Sequence, residues 1–433
     1  MSLIANDVYV VKGGIPLSGT LHPSGSKNAA LPILAASLLT DRDVIIDNLP
    51  DIRDVRTMLD ILAGLGVSIS GKPPGTVVLN ASALKPGSID VAACREIRAS
   101  ILLAGPLTAR TGDVKLPPPG GDVIGKRRLD THFEALEQLG AGVSLEDGML
   151  TFRARSLEGR RIFLDEPSVT ATENVLMAAS VAKGETIVYN AACEPNVQDL
   201  VKMLNAMGAE IEGAGTNLVK VRGREGPLKG CRHTVTPDHI EIGSFVGLAA
   251  CCGGKITIPG VPVEIIDPMM NGFSKLGVTL DFREGDVTVD GSRELIVIPD
   301  RGGSIPTIYD APWPGFSPDL VSTAIVVATQ ARGTSLIFEK MFESRLFFVD
   351  KLVSMGAGII QCDPHRVVVS GPSPLRGTDV SSPDIRAGMA LLTAALCAEG
   401  TSTIRNVHQI ERGYENLIPR LKRLGAEILT PGN

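Results

Sequence analysis

The chain has 433 residues and a formal net charge of −6 at pH 7. This length exceeds one ordinary hydrophobic core, so we expect two large domains. Aromatic residues make up 4% of the chain and hydrophobic residues 44%, which predicts aliphatic cores packed between helices and strands, as in the α/β class. The negative charge and the few aromatic residues argue against a nucleic-acid-binding protein.

The seven cysteines show no paired Cys-x-x-Cys spacing with histidines, so we expect neither a metal site nor another cofactor. The N-terminus lacks the order of charged, apolar and small residues that a signal peptide has. Every apolar run is broken before about 18 residues, the length needed to span a bilayer. We therefore expect a soluble cytoplasmic protein without a membrane partner, and the sequence does not indicate its oligomeric state.

The first predicted elements are two short strands at residues 8–11 and 15–19, and the residues alone do not indicate which domain they join. After them, a sequence repeat that ends in the motif Leu/Met-Gly-Ala/Val recurs with a period of roughly 70 residues. Its six copies are Leu65-Gly66-Val67, Leu139-Gly140-Ala141, Met207-Gly208-Ala209, Leu276-Gly277-Val278, Met355-Gly356-Ala357 and Leu424-Gly425-Ala426. An amphipathic helix precedes each ending, a β-branched strand precedes that helix, and an apolar helix precedes the strand. Each repeat is therefore predicted to be helix, strand, helix, strand.

The apolar helices at 29–39, 174–181, 321–331 and 387–398 are rich in Ala, Leu and Val on nearly all sides. This pattern predicts helices enclosed by other elements. In the second half of the chain they begin at Thr236-Pro237-Asp238, Ser317-Pro318-Asp319 and Ser382-Pro383-Asp384. We expect Thr236, Ser317 and Ser382 to supply hydroxyl N-caps, each followed by a proline in the first turn and an acid near the positive end of the dipole.

Cations lie beside several of these helix starts, where capping does not require them: Lys27, Arg98 and Arg386. If three repeats close around an axis in each domain, six helix N-termini can point into one cleft and attract anions. Residues 117–128 are a second unusual stretch, with three prolines, three glycines and three cations around Asp122. This composition predicts a mobile lid.

The combined motifs resemble the enolpyruvyltransferase family over essentially the whole chain. The most specific are Ser26-Lys27-Asn28-Ala29-Ala30-Leu31-Pro32, Ile97-Arg98-Ala99-Ser100, Pro119-Gly120-Gly121 with Ile124-Gly125, Ser317-Pro318-Asp319, Phe342-Glu343-Ser344-Arg345 and Arg412-Gly413-Tyr414-Glu415. The resemblance implies two inside-out α/β barrels of three repeats each, formed by residues 27–235 and by residues 1–26 plus 236–433. The change in repeat style near 232–237 agrees with this boundary.

The resemblance is strongest to the branch that transfers the enolpyruvyl group of phosphoenolpyruvate to the 3-hydroxyl of UDP-N-acetylglucosamine. That reaction releases phosphate and is the first committed step of peptidoglycan precursor synthesis. The substrate's phosphate and carboxylate need fixed cations, and arginine binds both groups through its planar fork. The residues that match the family's phosphoenolpyruvate site are Lys27, Asn28, Arg127, Arg345, Arg386 and Arg412.

Proton transfer needs two further groups. By resemblance, Asp122 protonates carbon 3 of the alkene and Asp319 removes the proton of the sugar hydroxyl, while Lys27 and Arg412 complete the catalytic set. The positions that match the family's nucleotide-sugar contacts are Asn28, Arg98, Arg127, Arg128, Leu129, Asp130, Thr131, Ser168, Val169, Thr170, Asp319 and Met341. We expect His132, on the helix after the lid, to have only a capping or packing role.

Asp122 departs from the family pattern, because most members have a cysteine there. The reference pKa of an aspartate, near 3.9, is low for an acid working at neutral pH, so the closed lid must raise it. We expect the bound substrate anions to engage the nearby cations and leave Asp122 protonated. We also expect resistance to the epoxide fosfomycin, which alkylates the thiol in this family.

Three more departures are Leu102, where many members have tryptophan, Arg128, where proline is usual, and His239, where arginine is usual. They leave open an alternative acceptor, either another nucleotide sugar or a nucleotide. Shikimate 3-phosphate is disfavoured because the Asn-Ala-Gly-Thr stretch of that branch is absent. A catalytically silent binding protein is a further alternative, but the many cations kept at helix starts argue against it.

Overall fold

The computed structural model describes residues 7–121, 124–125, 127–224 and 226–430. These residues group into two compact units. The N unit contains residues 25–121 and the described part of 127–236, and the C unit contains residues 7–24, 124–125 and 237–430. Asp122 and Lys126, both part of the predicted lid, lie outside the described residues.

Repeated small sheets make up both units. In the N unit the three sheets have the strand orders Cys231–Thr234, Val44–Leu49, Gly75–Asn80, Ser68–Gly71; Asp113–Leu116, Met149–Arg153, Gly142–Glu146; and Arg161–Phe163, Glu185–Tyr189, Leu218–Arg222, Glu210–Glu212. In the C unit they are Gly19–Thr20, Lys255–Ile258, Asp286–Asp290, Asp281–Arg283; Thr307–Tyr309, Gly333–Phe338, Arg366–Gly371, Ile359–Gln361; and Asp379–Ser381, Thr401–Arg405, Val8–Lys12, Glu427–Leu429.

The pairing pattern is the same in all the four-stranded sheets. The first two strands of each order are parallel and the other neighbours are antiparallel. Three of these strands pair with strands from distant parts of the sequence, and one of them is Gly19–Thr20, which pairs with Lys255–Ile258 in the C unit. Cys231–Thr234 pairs with Val44–Leu49 in the N unit, and Val8–Lys12 lies between Thr401–Arg405 and Glu427–Leu429 in the C unit. In each unit, one sheet therefore joins strands from near the beginning and near the end of that unit's sequence.

Helices alternate with these strands. The α-helices of the N unit are Lys27–Ala36, Arg53–Gly64, Val91–Glu96, Ala104–Thr111, Asp130–Gln138, Val169–Ala179 and Pro195–Ala206, with 3-10 helices at Ser37–Leu39 and Arg98–Leu103. Those of the C unit are His239–Cys251, Ile266–Phe273, Pro318–Gln330, Val349–Ser354, Ile385–Cys397, His408–Glu411 and Leu417–Arg423, with 3-10 helices at Val263–Ile265, Ser274–Leu276 and Arg345–Phe348. Among the helices of the described ranges, none has the length and apolar character that crossing a bilayer requires.

The apolar helices are enclosed, as the sequence predicted. Pro318–Gln330 and Ile385–Cys397 are buried along almost their whole length in the C unit, and Lys27–Ala36 and Val169–Ala179 are buried in the same way in the N unit. Their small aliphatic side chains let neighbouring helices approach on several sides. One contiguous hydrophobic core runs through each unit.

The predicted hydroxyl caps are correct for only one of the three helices. Ser317 accepts a hydrogen bond from the backbone nitrogen of Asp319, but the other two helices begin after Asp238 and Asp384. Each of these carboxylates accepts from two backbone N–H groups, with a charge that suits the helix dipole better than a hydroxyl does. Thr236 and Ser382 therefore do not cap these helices.

Candidate active site

Three charged residues predicted from the sequence meet in the C unit. Oδ1 of Asp319 accepts a hydrogen bond from Nη2 of Arg345 at 2.9 Å, and Oδ2 accepts one from Nε of Arg386 at 3.0 Å. The arginine side chains are 3% and 6% exposed, whereas that of Asp319 is 24% exposed. The structure therefore holds one accessible carboxylate between two buried guanidinium groups.

Local structure brings these three side chains together. Asp319 lies in the first turn of Pro318–Gln330, and Arg386 is the second residue of Ile385–Cys397, the helix that Asp384 caps. Arg345 begins a 3-10 helix. Because two buried helices start beside each other, their N-terminal residues reach the same point, and the helix dipoles favour negative charge there.

The two guanidinium groups keep capacity for further anions. Burial works to lower the pKa of Arg386, but Tyr414, Asp319 and Asp238 outweigh it and hold that pKa above its usual range. Within the described residues, Nη1 of Arg386 has no acceptor in good hydrogen-bond geometry, although the guanidinium group also interacts with the hydroxyl of Tyr414. A buried cation with an unused N–H group is suited to bind a carboxylate or phosphate.

A buried and protonated glutamate, Glu339, lies next to Arg345. Glu339 is fully buried, and burial raises its pKa to about 9, against the opposing effect of Arg345. Oε2 of Glu339 is 3.6 Å from Nε of Arg345. Asp310 accepts hydrogen bonds from the backbone nitrogens of Lys340 and Met341, which ties down the loop that carries the exposed side chain of Met341.

Two further residues that the sequence singled out, Arg412 and His239, belong to the C unit, and His239 lies close enough to Asp319 and Arg386 for their charges to act on it. Arg412 is 9% exposed and donates from Nη1 to Oε1 of Gln409 at 2.9 Å. His239, where the family usually has arginine, packs edge-to-face on Trp313 with ring centroids 5.9 Å apart. Burial lowers the pKa of His239, so this ring is neutral and does not replace the missing arginine as a cation.

Two lid residues are described within the C unit. The carbonyl oxygen of Ile124 accepts a hydrogen bond from the backbone nitrogen of Ser344 at 3.2 Å. Gly125 has a φ of +132°, and a side chain at that position would collide with the carboxylate of Glu343. Both observations attach this part of the lid to the segment that leads into Arg345.

In the N unit, Lys27 is the first residue of a buried helix that Ser26 caps. Its Nζ lies 2.9 Å from Oδ2 of Asp54, and the two side chains are 12% and 5% exposed. Asn28 follows on the same turn and is half-buried. The partner Asp54 was not predicted, since nothing in the local sequence links it to Lys27.

Arg98 anchors the segment that follows the lid. Its Nη2 donates to the carbonyl oxygens of Arg127 at 2.7 Å and Arg128 at 3.1 Å. Burial, together with the charge of Arg127, lowers the pKa of Arg98 to about 10, so it stays charged at neutral pH. Arg98 thus holds the backbone of two other predicted site residues in place.

The Arg128 side chain is occupied by carboxylates. It donates from Nε to Asp130 at 2.8 Å and from Nη1 to Asp165 at 2.9 Å, and Thr131 donates to the same Asp165 at 2.6 Å. Leu129 precedes this helix and gives it no side-chain cap. The extra cation at 128 is therefore balanced within the N unit, and Asp165 is a participant that the sequence did not suggest.

The start of Val169–Ala179 carries the third predicted segment. Ser168 caps this helix by accepting from the backbone nitrogen of Ala171, and Thr170 lies in its first turn. Oγ1 of Thr170 is 3.0 Å from Nε2 of His132, whose Nδ1 is 2.9 Å from Nδ2 of Asn174. His132, for which the sequence predicted a capping or packing role, thus makes specific polar contacts at both ring nitrogens.

The base of the lid is tightly fitted to the N unit. A Cβ added to Gly120 would overlap the backbone carbonyl of Arg95, and one added to Gly121 would collide with Arg98.

Leu102, where many family members have tryptophan, is 1% exposed and packs in the core. Across the described ranges, no group of three His, Cys, Asp or Glu side chains could hold a metal ion.

A family model described as EPSP synthase (3-phosphoshikimate 1-carboxyvinyltransferase) matches residues 11–421. The chain belongs to this family of enolpyruvyltransferases. The resemblance noted from the motifs is therefore confirmed. This enolpyruvyltransferase is 53% identical over 420 residues to a UDP-N-acetylglucosamine 1-carboxyvinyltransferase of Bradyrhizobium diazoefficiens, covering 97% of both chains. It is also 53% identical to the protein of the same name from Treponema denticola, covering 97% of this chain and 98% of that one.

Solved structures confirm the predicted fold class. The enolpyruvyl transferase NikO from Streptomyces tendae superposes with a TM-score of 0.87 at 25% identity and 98% coverage of both chains. An EPSP synthase from Acinetobacter baumannii gives a TM-score of 0.73 at 19% identity, covering 98% of this chain and 100% of that one. The repeated α/β units of this enolpyruvyltransferase thus have the architecture of that family.

Proposed function

We propose that this enolpyruvyltransferase transfers the enolpyruvyl group of phosphoenolpyruvate to the 3-hydroxyl of UDP-N-acetylglucosamine and releases phosphate. The observation that carries this proposal is the 53% identity, over 97% of the chain, to proteins named for that activity. The reaction is the first committed step of peptidoglycan precursor synthesis, and we place it in the cytoplasm. The enzyme needs no cofactor for it.

We assign phosphoenolpyruvate to the cations Lys27, Arg127, Arg345, Arg386 and Arg412, with Asn28 beside them. The free N–H group of Arg386 and the burial of Arg345 support this assignment, because both features favour binding of a planar anion. In the proposed complex, the phosphate and carboxylate of the substrate take hydrogen bonds that the two arginines now give to Asp319.

This exchange explains how Asp319 can act as a base. Two arginine hydrogen bonds stabilise the carboxylate and so make it a weak proton acceptor. When the substrate's anions engage those arginines, the carboxylate loses part of this stabilisation and becomes a better proton acceptor. Asp319 then removes the proton from the sugar hydroxyl as that oxygen attacks carbon 2, while Asp122 protonates carbon 3.

We assign the nucleotide sugar to Asn28, Arg98, Asp319, Met341 and the segments 127–131 and 168–170. Two contacts support a preformed surface in the N unit. Arg98 holds the backbone of Arg127 and Arg128, and Ser168 caps the helix on which Thr170 lies. A helix start and a fixed arginine are suited to bind the negative charges of a diphosphate.

We also propose that the two domains consist of residues 27–235 and of residues 1–26 plus 236–433. The division of the described chain between residues 24 and 25 and between 236 and 237 supports these boundaries. The pairing of Val8–Lys12 with Thr401–Arg405 supports the assignment of the N-terminal residues to the second domain.

Phosphate release tests this function. Wild-type protein is incubated with phosphoenolpyruvate and, in separate reactions, UDP-N-acetylglucosamine, a second UDP-sugar, UMP and shikimate 3-phosphate. We expect kcat/KM for UDP-N-acetylglucosamine to exceed the others by at least about 100-fold, since a site that bonds specific polar groups rejects substrates without them. A preference for another acceptor would replace the proposed function with a paralogous one. If no acceptor leads to phosphate release, the result would favour a catalytically silent binding protein.

A further inference from the structure

A hydrogen-bond chain in the N unit has its direction set by two backbone groups. Oδ1 of Asn174 accepts from the backbone nitrogen of Gly105 at 2.8 Å, and Nδ2 of Asn174 donates to the carbonyl oxygen of Ile101 at 2.8 Å. A backbone N–H can only donate and a carbonyl oxygen can only accept. The side-chain amide of Asn174 therefore has a single possible orientation.

The orientation of Asn174 determines the tautomer of His132. The second hydrogen on Nδ2 of Asn174 points to Nδ1 of His132 at 2.9 Å, so that ring nitrogen is an acceptor. A neutral imidazole with a bare Nδ1 carries its proton on Nε2. Nε2 lies 3.0 Å from Oγ1 of Thr170 and donates to it. His132 is 1% exposed, and burial, helped by the charge of Arg98, lowers its pKa to about 3.

Thr170 is thereby left as a hydrogen-bond donor. A hydroxyl has one hydrogen and two lone pairs, and His132 uses one of the lone pairs of Thr170. The hydrogen of Thr170 is then available to an acceptor outside these residues. Thr170 is half-buried in the first turn of Val169–Ala179, where the helix dipole favours an anionic oxygen.

We propose that His132 is a positioning residue that makes the Thr170 hydroxyl a donor to a phosphate oxygen of the nucleotide sugar. The inference rests on the proposed function, in which residues 168–170 contact that substrate. His132 acts through Thr170 and does not touch the substrate. Protonation of Nδ1 would break the hydrogen bond that this atom accepts from Asn174. Because burial lowers the pKa of His132, the ring stays neutral at neutral pH, and Nε2 remains the donor to Thr170.

Four variants separate positioning from packing. In His132→Asn, the side-chain oxygen can still accept from Asn174, but no donor reaches Thr170. In His132→Gln, the amide nitrogen can occupy the place of Nε2 and donate to Thr170. Thr170→Val removes the hydroxyl at nearly constant volume, and the double variant His132→Asn/Thr170→Val tests whether the two residues act together. KM for each substrate, kcat and the midpoint of thermal unfolding are measured for all four.

We expect Thr170→Val and His132→Asn each to raise KM for UDP-N-acetylglucosamine by about tenfold, the value of one charge-assisted hydrogen bond, with KM for phosphoenolpyruvate changed less than about twofold. His132→Gln should recover most of the loss. The double variant should bind no worse than Thr170→Val alone. In isotope-labelled protein, the ring should show a proton on Nε2 and none on Nδ1.

Several results would overturn the inference. These are an unchanged KM in His132→Asn or Thr170→Val, additive effects in the double variant, equal losses with both substrates, or a proton on Nδ1. The tautomer measurement and Thr170→Val decide the matter should His132→Asn fail to fold. A wild-type enzyme that is inactive with UDP-N-acetylglucosamine would remove the proposed function and this inference with it. An active wild type with unaffected variants would remove the inference alone.

Discussion

The carboxylate of Asp319 accepts a hydrogen bond from Nε of Arg386 at 3.0 Å. In the proposed reaction the first residue is a base and the second binds the substrate's anion. Because of this contact, we expect the Asp319 carboxylate to be a weak proton acceptor until the substrate's anion binds Arg386. Proton removal and phosphoenolpyruvate binding are thereby coupled through one pair of side chains.

Replacing Asp319 by asparagine should abolish most turnover. The amide cannot accept the proton of the sugar hydroxyl, so we expect kcat to fall by about 10²- to 10⁴-fold, the usual contribution of a general base. The change also removes the anion between two buried arginines, so the free energy of unfolding should fall. Steady-state kinetics and urea unfolding measure these effects. Asp350→Asn, which changes an exposed carboxylate in the same unit, is the control and should match wild type.

Arg386→Lys keeps a charge but removes the planar fork. We expect KM for phosphoenolpyruvate to rise by at least about tenfold, because the ammonium group of a lysine cannot give the substrate's planar anion two parallel hydrogen bonds. The matched control is Arg405→Lys, since Arg405 makes a similar contact to Asp379 on the surface of the same unit. If both variants leave KM unchanged, Arg386 does not bind this substrate.

Gly120→Ala should disturb the base of the lid. The new methyl group would overlap the carbonyl of Arg95, and backbone on both sides must move to make room. We expect kcat/KM to fall by about tenfold or more, as misplaced active-site segments commonly cause. Gly87→Ala is the control, because nothing lies within 4 Å of its Cβ position. Equal activity in the two alanine variants would show that the lid tolerates this shift.

Glu339 should make the stability of the protein depend on pH. Burial raises the pKa of Glu339 to about 9, so the folded protein keeps a proton that the unfolded chain releases near pH 4.5. The stabilisation from this group is complete below pH 4.5 and is lost as the pH rises towards 9. Relative to Glu339→Gln, the free energy of unfolding of wild type should fall by at most about 1.4 kcal/mol per pH unit between these limits. Parallel urea titrations at pH 5.5, 7 and 8.5 would contradict this assignment if the difference between the two proteins stayed constant.

Fosfomycin should not inactivate the wild-type enzyme. Its epoxide alkylates a thiol, and by the resemblance noted from the motifs Asp122 stands where most family members have a cysteine. We expect Asp122→Cys to gain time-dependent, irreversible inactivation, with loss of activity that survives removal of the free drug. Preincubation followed by gel filtration and assay measures this. Irreversible inactivation of wild type would show that another residue reacts.

Much of the fold was predictable because it repeats. Six copies of the Leu/Met-Gly-Ala/Val motif and four helices that are apolar on nearly all sides indicated the repeated α/β units. A helix with aliphatic side chains on all sides is stable only where other elements enclose it. The caps were less predictable. A hydroxyl, a proline and an acid all favour a helix start, so Asp238 and Asp384 could be told from Thr236 and Ser382 only by which side chain reaches the free N–H groups.

The sequence indicated charged residues at helix starts but not the partners of those residues. Cations at helix starts indicated Lys27 and Arg386, whereas their partners Asp54 and Asp319 lie far away in sequence or on another helix. The role of His132 depends on backbone groups of other segments, which no local pattern encodes. Long-range polar contacts therefore had to come from the structure.

The most direct test of the central claim is identification of the reaction product. Phosphoenolpyruvate and UDP-N-acetylglucosamine are incubated with wild-type enzyme, the product is analysed by mass spectrometry and NMR, and released phosphate is counted in the same sample. We predict an enolpyruvyl ether at the 3-oxygen of the sugar and one phosphate per product molecule. Phosphate release without that ether, or transfer to another oxygen, would contradict it.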